Sequence, residues 1–239
     1  MSKYVRDWQW GTQYPNFKKS EFKCPDCGGY GNGIANSLVV DLQTLRDKYG
    51  SLVITSGYRC PSYNKHVGGV NNSKHLVGQA ADFYFRSGIL GNQNTRISIV
   101  NEIKRMPYVN YTYCNVNGNH PNMGNAIHMD TNLVDTDVMD WQRMMNGQYN
   151  AGLAVDGIFG NASSEAAKKN YLGKGKNAPL HVTWLQKQLA WRGYDLGKYG
   201  IDGNFGNDTN RAVRQFQKDH GLVVDGYVGV ETTKKLLFE

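Results

Sequence analysis

Two histidines and one aspartate, His75, Asp82 and His128, have the types and order of a metal-ligand set. In Ser73-x-His75-x6-Asp82 a loop imidazole is followed by a carboxylate at the start of an expected strand, and His128 falls in a later strand that can pair beside it. Two imidazoles and one carboxylate leave one position of a tetrahedral Zn²⁺ open to water, which is the catalytic rather than the closed structural arrangement. Such an ion lowers the pKa of water towards ~7 and polarises a carbonyl. Taken alone, His-x6-Asp is also a spacing that ordinary core and surface histidines produce.

Four cysteines form a second group. Cys24-Pro25-Asp26-Cys27-Gly28-Gly29 has the form of a zinc knuckle, with Cys60 and Cys114 further on. Three states are open: a structural zinc held by thiolates, disulfides in an oxidising medium, or free thiols in a reducing one.

The elements that must position these residues are readable from periodicity. Leu38, Leu42 and Leu45 share one face of an amphipathic helix over 36–49, with Asn36 or Ser37 as N-cap and Gly50 beyond the end. Leu52 to Thr55 reads as a strand, and a Gly-rich polar stretch leads into a further strand at Gln79-Ala80-Ala81-Asp82-Phe83. A second helix is expected over Thr95 to Arg105, then strands over Tyr108 to Val116 and Ala126 to Met129. Without regular βαβ alternation, this mixture predicts an α+β domain on an antiparallel sheet over 1–134.

Beyond residue 135 the pattern repeats. Val155-Asp156-Gly157-Ile158-Phe159-Gly160 returns as Ile201-Asp202-Gly203-Asn204-Phe205-Gly206, and Trp141-Gln142 parallels Leu185-Gln186. A shorter echo is Asp225-Gly226-Tyr227-Val228-Gly229. Each element suits a tight turn in which Asp bonds local N–H groups and Gly takes positive φ, next to a helix-patterned segment. Residues 135–239 are therefore expected to be all-helical, with a degenerate copy at 137–172, a full copy at 180–239 and a flexible link, Gly173 to Pro179, between them.

Ser56-Gly57-Tyr58-Arg59-Cys60, Asn64, Val67-Gly68-Gly69, Ser73-x-His75, Gly78-x-Ala80-x-Asp82 and His128-x-Asp130 together resemble the zinc D-Ala-D-Ala carboxypeptidase and endopeptidase family over about residues 15–132. That family shares its metal-site architecture with lysostaphin-type peptidases and the hedgehog signalling domain. The resemblance implies one catalytic Zn²⁺ on His75, Asp82 and His128, and Arg59 stabilising a tetrahedral oxyanion, a task that suits its permanently charged fork. Ser73 is expected either to bond substrate or to shape its loop. Many relatives keep an acid three positions before the last histidine ligand, where this chain has Asn125. Elimination among the acidic residues of 1–130 leaves Asp130, on the same strand face as His128, either as general base or as a group that orients His128 or caps the strand end, with His120 the reserve candidate for base. The second repeat is similar to the small helical peptidoglycan-binding domain of many wall hydrolases, with Leu185, Leu189, Val213, Phe216 and Leu236 expected in its core. Trp191, Tyr194 and Tyr199 are its candidate sugar-stacking aromatics.

These resemblances predict a zinc metallopeptidase cutting peptidoglycan peptides, of the kind seen in phage endolysins with stem-peptide endopeptidase activity. A D-Ala-D-Ala carboxypeptidase, a host autolysin and a non-catalytic zinc-containing wall-binding module are the alternatives. Net charge is +7, and residues 1–130 hold 14 Lys and Arg against 8 Asp and Glu, so the excess lies there and favours polyanionic partners. Nucleic acid as partner would leave the repeats unexplained, and no apolar run is long enough to span a membrane. The expected partner is peptidoglycan and the expected state a monomer. The opening MSKYVRDWQW lacks a secretory layout, so the chain is expected to be made in a host cytoplasm and to reach the wall by another route of release.

Overall fold

Leu38, Leu42 and Leu45 are fully buried in the computed structural model, which describes residues 3–239, and they anchor helix α1 (Asn36–Tyr49) to the first core. Each such leucine contributes about 2 kcal/mol by leaving water. Gly50 ends the helix at φ 85°, a conformation glycine adopts without strain. The N-cap differs from expectation. Ala35 occupies it, because Asn36 and Ser37 are drawn inward: Asn36 accepts from the Tyr14 hydroxyl, and Ser37 Oγ donates to the carbonyl of Asn132 at 2.7 Å.

The chain forms two compact units, Lys3–Val134 and Asp135–Glu239. In the first, α1 is followed by β1 (Leu52–Ser56), α2 (Pro61–His66), β2 (Ala80–Phe85), α3 (Gln93–Ile103), β3 (Val109–Cys114) and β4 (Ile127–Thr131). The four strands make one antiparallel sheet in the order β1-β2-β4-β3. Alternation sends Ala81, Phe83, Phe85, Ile127 and Met129 into the core beneath α1 and α3. The residues between them, Ala80, Asp82, His128 and Asp130, stand on the opposite face. Pairing of Asp82 with His128 across β2 and β4, and of Tyr113 with His128 across β3 and β4, gathers the polar residues at one place. The fold of this unit is α+β.

The second unit is all-helical, built from α4 (Thr136–Tyr149), α5 (Asn161–Lys169), α6 (Pro179–Trp191), α7 (Asn207–Asp219) and α8 (Val230–Phe238). One core runs from Val138 to Leu237, so residues 137–172 share it with the later repeat, and Leu185, Leu189, Val213, Phe216 and Leu236 all lie within it. One device occurs three times. The buried amides of Gln142, Gln186 and Gln217 each donate to the Asp carboxylate of the following Asp-Gly turn and accept from its backbone N–H groups. The turn glycines, Gly157, Gly203 and Gly226, sit at φ 72°, 75° and 75°, the left-handed region their position requires. Gly160, Gly206 and Gly229 then open α5, α7 and α8 with nearly the same backbone angles. Leu172 and Val228 pair through their backbones just before the expected link, and Gly173, at its start, lies against the Tyr227 ring. Among the described residues no helix is long and apolar enough to cross a membrane, and the first two residues of the opening segment lie outside them.

Candidate metal centre

The loop leaving β1 carries the first supports of the site. Gly57 packs directly on the Phe22 backbone, where a Cβ would meet Phe22 Cα at 2.6 Å, so only glycine fits. Its carbonyl accepts from His75 Nδ1 at 2.6 Å, and the Arg59 N–H returns a bond to the His75 carbonyl at 3.0 Å. His75 lies in a 3-10 turn (Lys74–Val77) that Gly78 ends at φ 67°. A Cβ on Gly78 would strike the Gly33 carbonyl oxygen at 2.0 Å. Ser73 caps the same turn, its Oγ accepting from the His75 N–H at 3.4 Å while the residue borders the neighbouring cleft.

Three atoms converge. His75 Nε2 stands 3.3 Å from His128 Nδ1 and 3.4 Å from Asp82 Oδ1, and His128 Nδ1 stands 2.7 Å from the same carboxylate oxygen. Donors about 2.0–2.1 Å from one tetrahedral ion lie about 3.3 Å apart, so the triangle has the size of a zinc site. The tautomers agree with this. A carbonyl can only accept, so His75 Nδ1 carries its proton towards Gly57 and Nε2 presents a lone pair. On the other ring, Asp130 Oδ2 lies 3.4 Å from His128 Nε2, which directs that proton outward and leaves Nδ1 facing His75 and Asp82. All three ligand candidates are buried, and neutral or anionic donors packed this closely suit a cation.

The electrostatics follow. Burial would raise the Asp82 carboxyl, but hydrogen bonding to His128 and His75 and their charge hold it far below the usual carboxylate range. Burial pushes His75 down, only partly offset by Asp82. For His128 the same burial is outweighed by the carboxylates of Asp130 and Asp82, and its pKa rises.

Arg59 extends its guanidinium to Asp82 Oδ2 and is steadied by Ser56 Oγ at 2.7 Å from Nε. It also borders two adjoining clefts of about 860 and 530 Å³, which share Gly68, Gly69, Tyr113 and His120. Asn64 shapes this wall: its side-chain N–H donates to the Val70 carbonyl at 3.0 Å, and its carbonyl accepts from the Gly69 N–H at 2.8 Å. Asp130 is buried between His128 and Asn110 Nδ2, which donates to its other oxygen at 2.8 Å. Asn125 accepts from the buried Arg96 at 3.0 Å and takes no part in the cleft. His120 borders both clefts, its ring 4.6 Å from that of Tyr113. Tyr113, stacked on His128 at 4.8 Å, was not singled out from sequence. Its only sequence signal is its place in a strand, which becomes informative once the β3–β4 register is known.

The four-cysteine arrangement is not formed. Cys24, Cys27 and Cys60 cluster, whereas Cys114 is part of the apolar core.

Residues 15–107 match the family model described as Peptidase M15, and residues 180–236 match that described as Putative peptidoglycan binding domain. The chain carries an M15 peptidase domain and a peptidoglycan-binding domain. The M15 match contains Arg59, Ser73, His75 and Asp82, while His128 and Asp130 lie beyond it. Among curated proteins the chain is similar to the N-acetylmuramoyl-L-alanine amidase CwlM of Mycobacterium tuberculosis, at 38% identity over 38% of this chain and 24% of that one. It is also similar to the amidase CwlL of Bacillus licheniformis, at 38% identity over 34% and 25%, and to the spore cortex-lytic enzyme of Bacillus cereus, at 43% over 23% and 21%. The chain thus spans about a quarter of the length of the amidases it matches. Among solved structures, a peptidoglycan-binding protein from Clostridioides difficile matches at 38% identity over 28% of this chain and 40% of that one, with a TM-score of 0.26.

Proposed function

We propose that this chain is a zinc metallopeptidase that hydrolyses peptide bonds of bacterial peptidoglycan, a stem-peptide endopeptidase of the endolysin kind. The observation that carries the reading is the convergence of His75 Nε2, Asp82 Oδ1 and His128 Nδ1 beside clefts that Arg59 borders. Zinc held by those three residues would supply a Lewis acid that acidifies water and polarises a carbonyl. The chain's own residues do the rest. Gly57 and Asp130 fix the two imidazoles in the tautomers that offer lone pairs inward, which makes Asp130 a positioning group. Arg59, held beside Asp82, places a permanent positive charge where a carbonyl oxygen turns negative. His120 accepts a proton from the attacking water and returns it to the leaving amine, the part of a general acid and base. Asn64 and Ser73 shape the loop that lines the cleft. The C-terminal unit holds the enzyme to its polymeric substrate, and the exposed Tyr199 is one of its available ring faces.

A second reading, cleavage of the amide between muramic acid and the first stem alanine, is favoured by the names of the amidases the chain resembles. Mass spectrometry of fragments released from purified peptidoglycan separates the two. New peptide termini within the stem, absent with His75→Ala, are expected. Free stem peptides beginning at L-alanine would favour the amidase, and release of nothing from several wall chemotypes would leave a binding module.

A further inference from the structure

The sulfurs of Cys24, Cys27 and Cys60 all lie within 4.8 Å of one another, the first two well before Arg59 in the chain and the third directly after it. The knuckle turn brings the first two together: the Cys24 N–H donates to the Gly29 carbonyl and the Gly28 N–H to the Cys24 carbonyl, both at 2.9 Å, with Gly28 at φ 68°. Cys60 arrives from the start of α2, its N–H directed at Cys24 Sγ at 3.4 Å. Asp26 Oδ2 lies 3.4 Å from Cys60 Sγ and accepts from Ser62 Oγ at 2.7 Å. Thiolates about 2.3 Å from a tetrahedral zinc stand about 3.8 Å apart, within the range these sulfurs span. One disulfide would use only two of the three.

The geometry points to a second, structural metal site in which Cys24, Cys27 and Cys60 hold a zinc ion, with the Asp26 carboxylate on the fourth side. Its role follows from what it ties down. Cys60 is adjacent to Arg59, and the Tyr58 N–H already bonds the Phe22 carbonyl at 2.9 Å. A metal clip from Cys24 and Cys27 to Cys60 closes that segment at its other end. The strand exit that supplies both the Gly57 carbonyl and the Arg59 guanidinium is thereby fixed at both sides. Soft thiolates select zinc over hard cations, and binding would release thiol protons.

The full-length protein, purified without chelator, is tested by metal analysis and by cobalt(II) substitution. Two zinc ions per chain are expected for the wild type and one for the His75→Ala/His128→Ala variant. That variant, loaded with cobalt, should retain a near-ultraviolet thiolate-to-cobalt charge-transfer band, which imidazoles and carboxylates do not give. Cys27→Ser, at the exposed position, should weaken or lose the band. Cobalt-loaded wild type lacking the band would overturn the proposal without any mutant, as would intact-mass and thiol titration showing a Cys–Cys disulfide in chain purified under reducing conditions. Loss of all zinc in the histidine variant would do the same. Peptidase activity is not the readout, so this outcome is independent of the proposed reaction.

Discussion

Gln142, Gln186 and Gln217 in the C-terminal unit are as buried as His75 in the N-terminal one, and all four side chains are polar. Their surroundings differ. Each glutamine donates and accepts within the turn it faces, and the same arrangement recurs three times along the chain. At the other site, two imidazole lone pairs and a carboxylate point at one another, an arrangement that protein groups alone complete poorly. Burial of polar atoms therefore does not mark function. Convergence of acceptors does, and recurrence with mutual satisfaction marks architecture.

The largest expected effect comes from removing an acceptor. His75→Ala and Asp82→Asn should bring peptidoglycan release to the level of a no-enzyme control and lower bound zinc, while hydrogen exchange in the glutamine turns stays unchanged. Exchange that rises in both units would break the distinction drawn between them.

Two buried groups, one in each unit, should also respond oppositely to pH. Burial holds His181, in α6, down at about 3, so it stays neutral when folded. As pH falls below ~6.5 the unfolded chain takes up a proton that the folded chain refuses, and the C-terminal unit loses roughly 4 kcal/mol between there and pH 3. Asp41, in α1, is raised by burial to about 7. Its contribution is whole below ~3.9 and disappears as pH rises to 7, about 4 kcal/mol over that window. Hydrogen exchange mapped by mass spectrometry across pH 4 to 8, read as the difference between wild type and each variant, should show the Asp41 contribution around α1 growing with acid and the His181 contribution around α6 shrinking. Asp41→Asn and His181→Leu should each flatten one slope, and slopes indifferent to both would remove these groups as the cause.

Truncating any one glutamine strands buried turn N–H groups. Gln186→Ala and Gln217→Ala should each cost about 3 kcal/mol in urea unfolding and leave zinc content intact. If Gln142→Ala costs far less, the first copy contributes shape rather than stability.

The smallest effect separates two roles for one carboxylate. Asp130→Asn should reduce zinc affinity about 10- to 100-fold, as expected for a residue that orients a ligand. His120→Ala should instead lower turnover and keep zinc. The reverse pattern would return Asp130 to the role of proton acceptor.

Much of this was legible in the sequence. The leucine spacing in α1 and the repeated Asp-Gly elements report local geometry directly, so their structures follow from the residues themselves. His75 and Asp82 were readable because the motif keeps them close in sequence. Other features depend on pairing across strands or between distant loops. Tyr113 is beside His128 only through the β3–β4 register, and the neighbouring Cys114 points into the core because alternation places it on the opposite face. For Asp130, the shared face with His128 follows from strand alternation, whereas Asn110, which bonds its other oxygen, lies on another strand. Asn36 and Ser37 were plausible caps by type, and tertiary partners claimed both.

The threefold glutamine turn has a consequence for how the chain can change over generations. Each copy brings its own turn, clasp and helix start within a few dozen residues, so the turn can be duplicated as one piece, but the copies share one core and loss of a copy uncovers the apolar faces of the others. The N-terminal site, assembled from four separated segments of chain, permits no such edit and can be altered only one residue at a time.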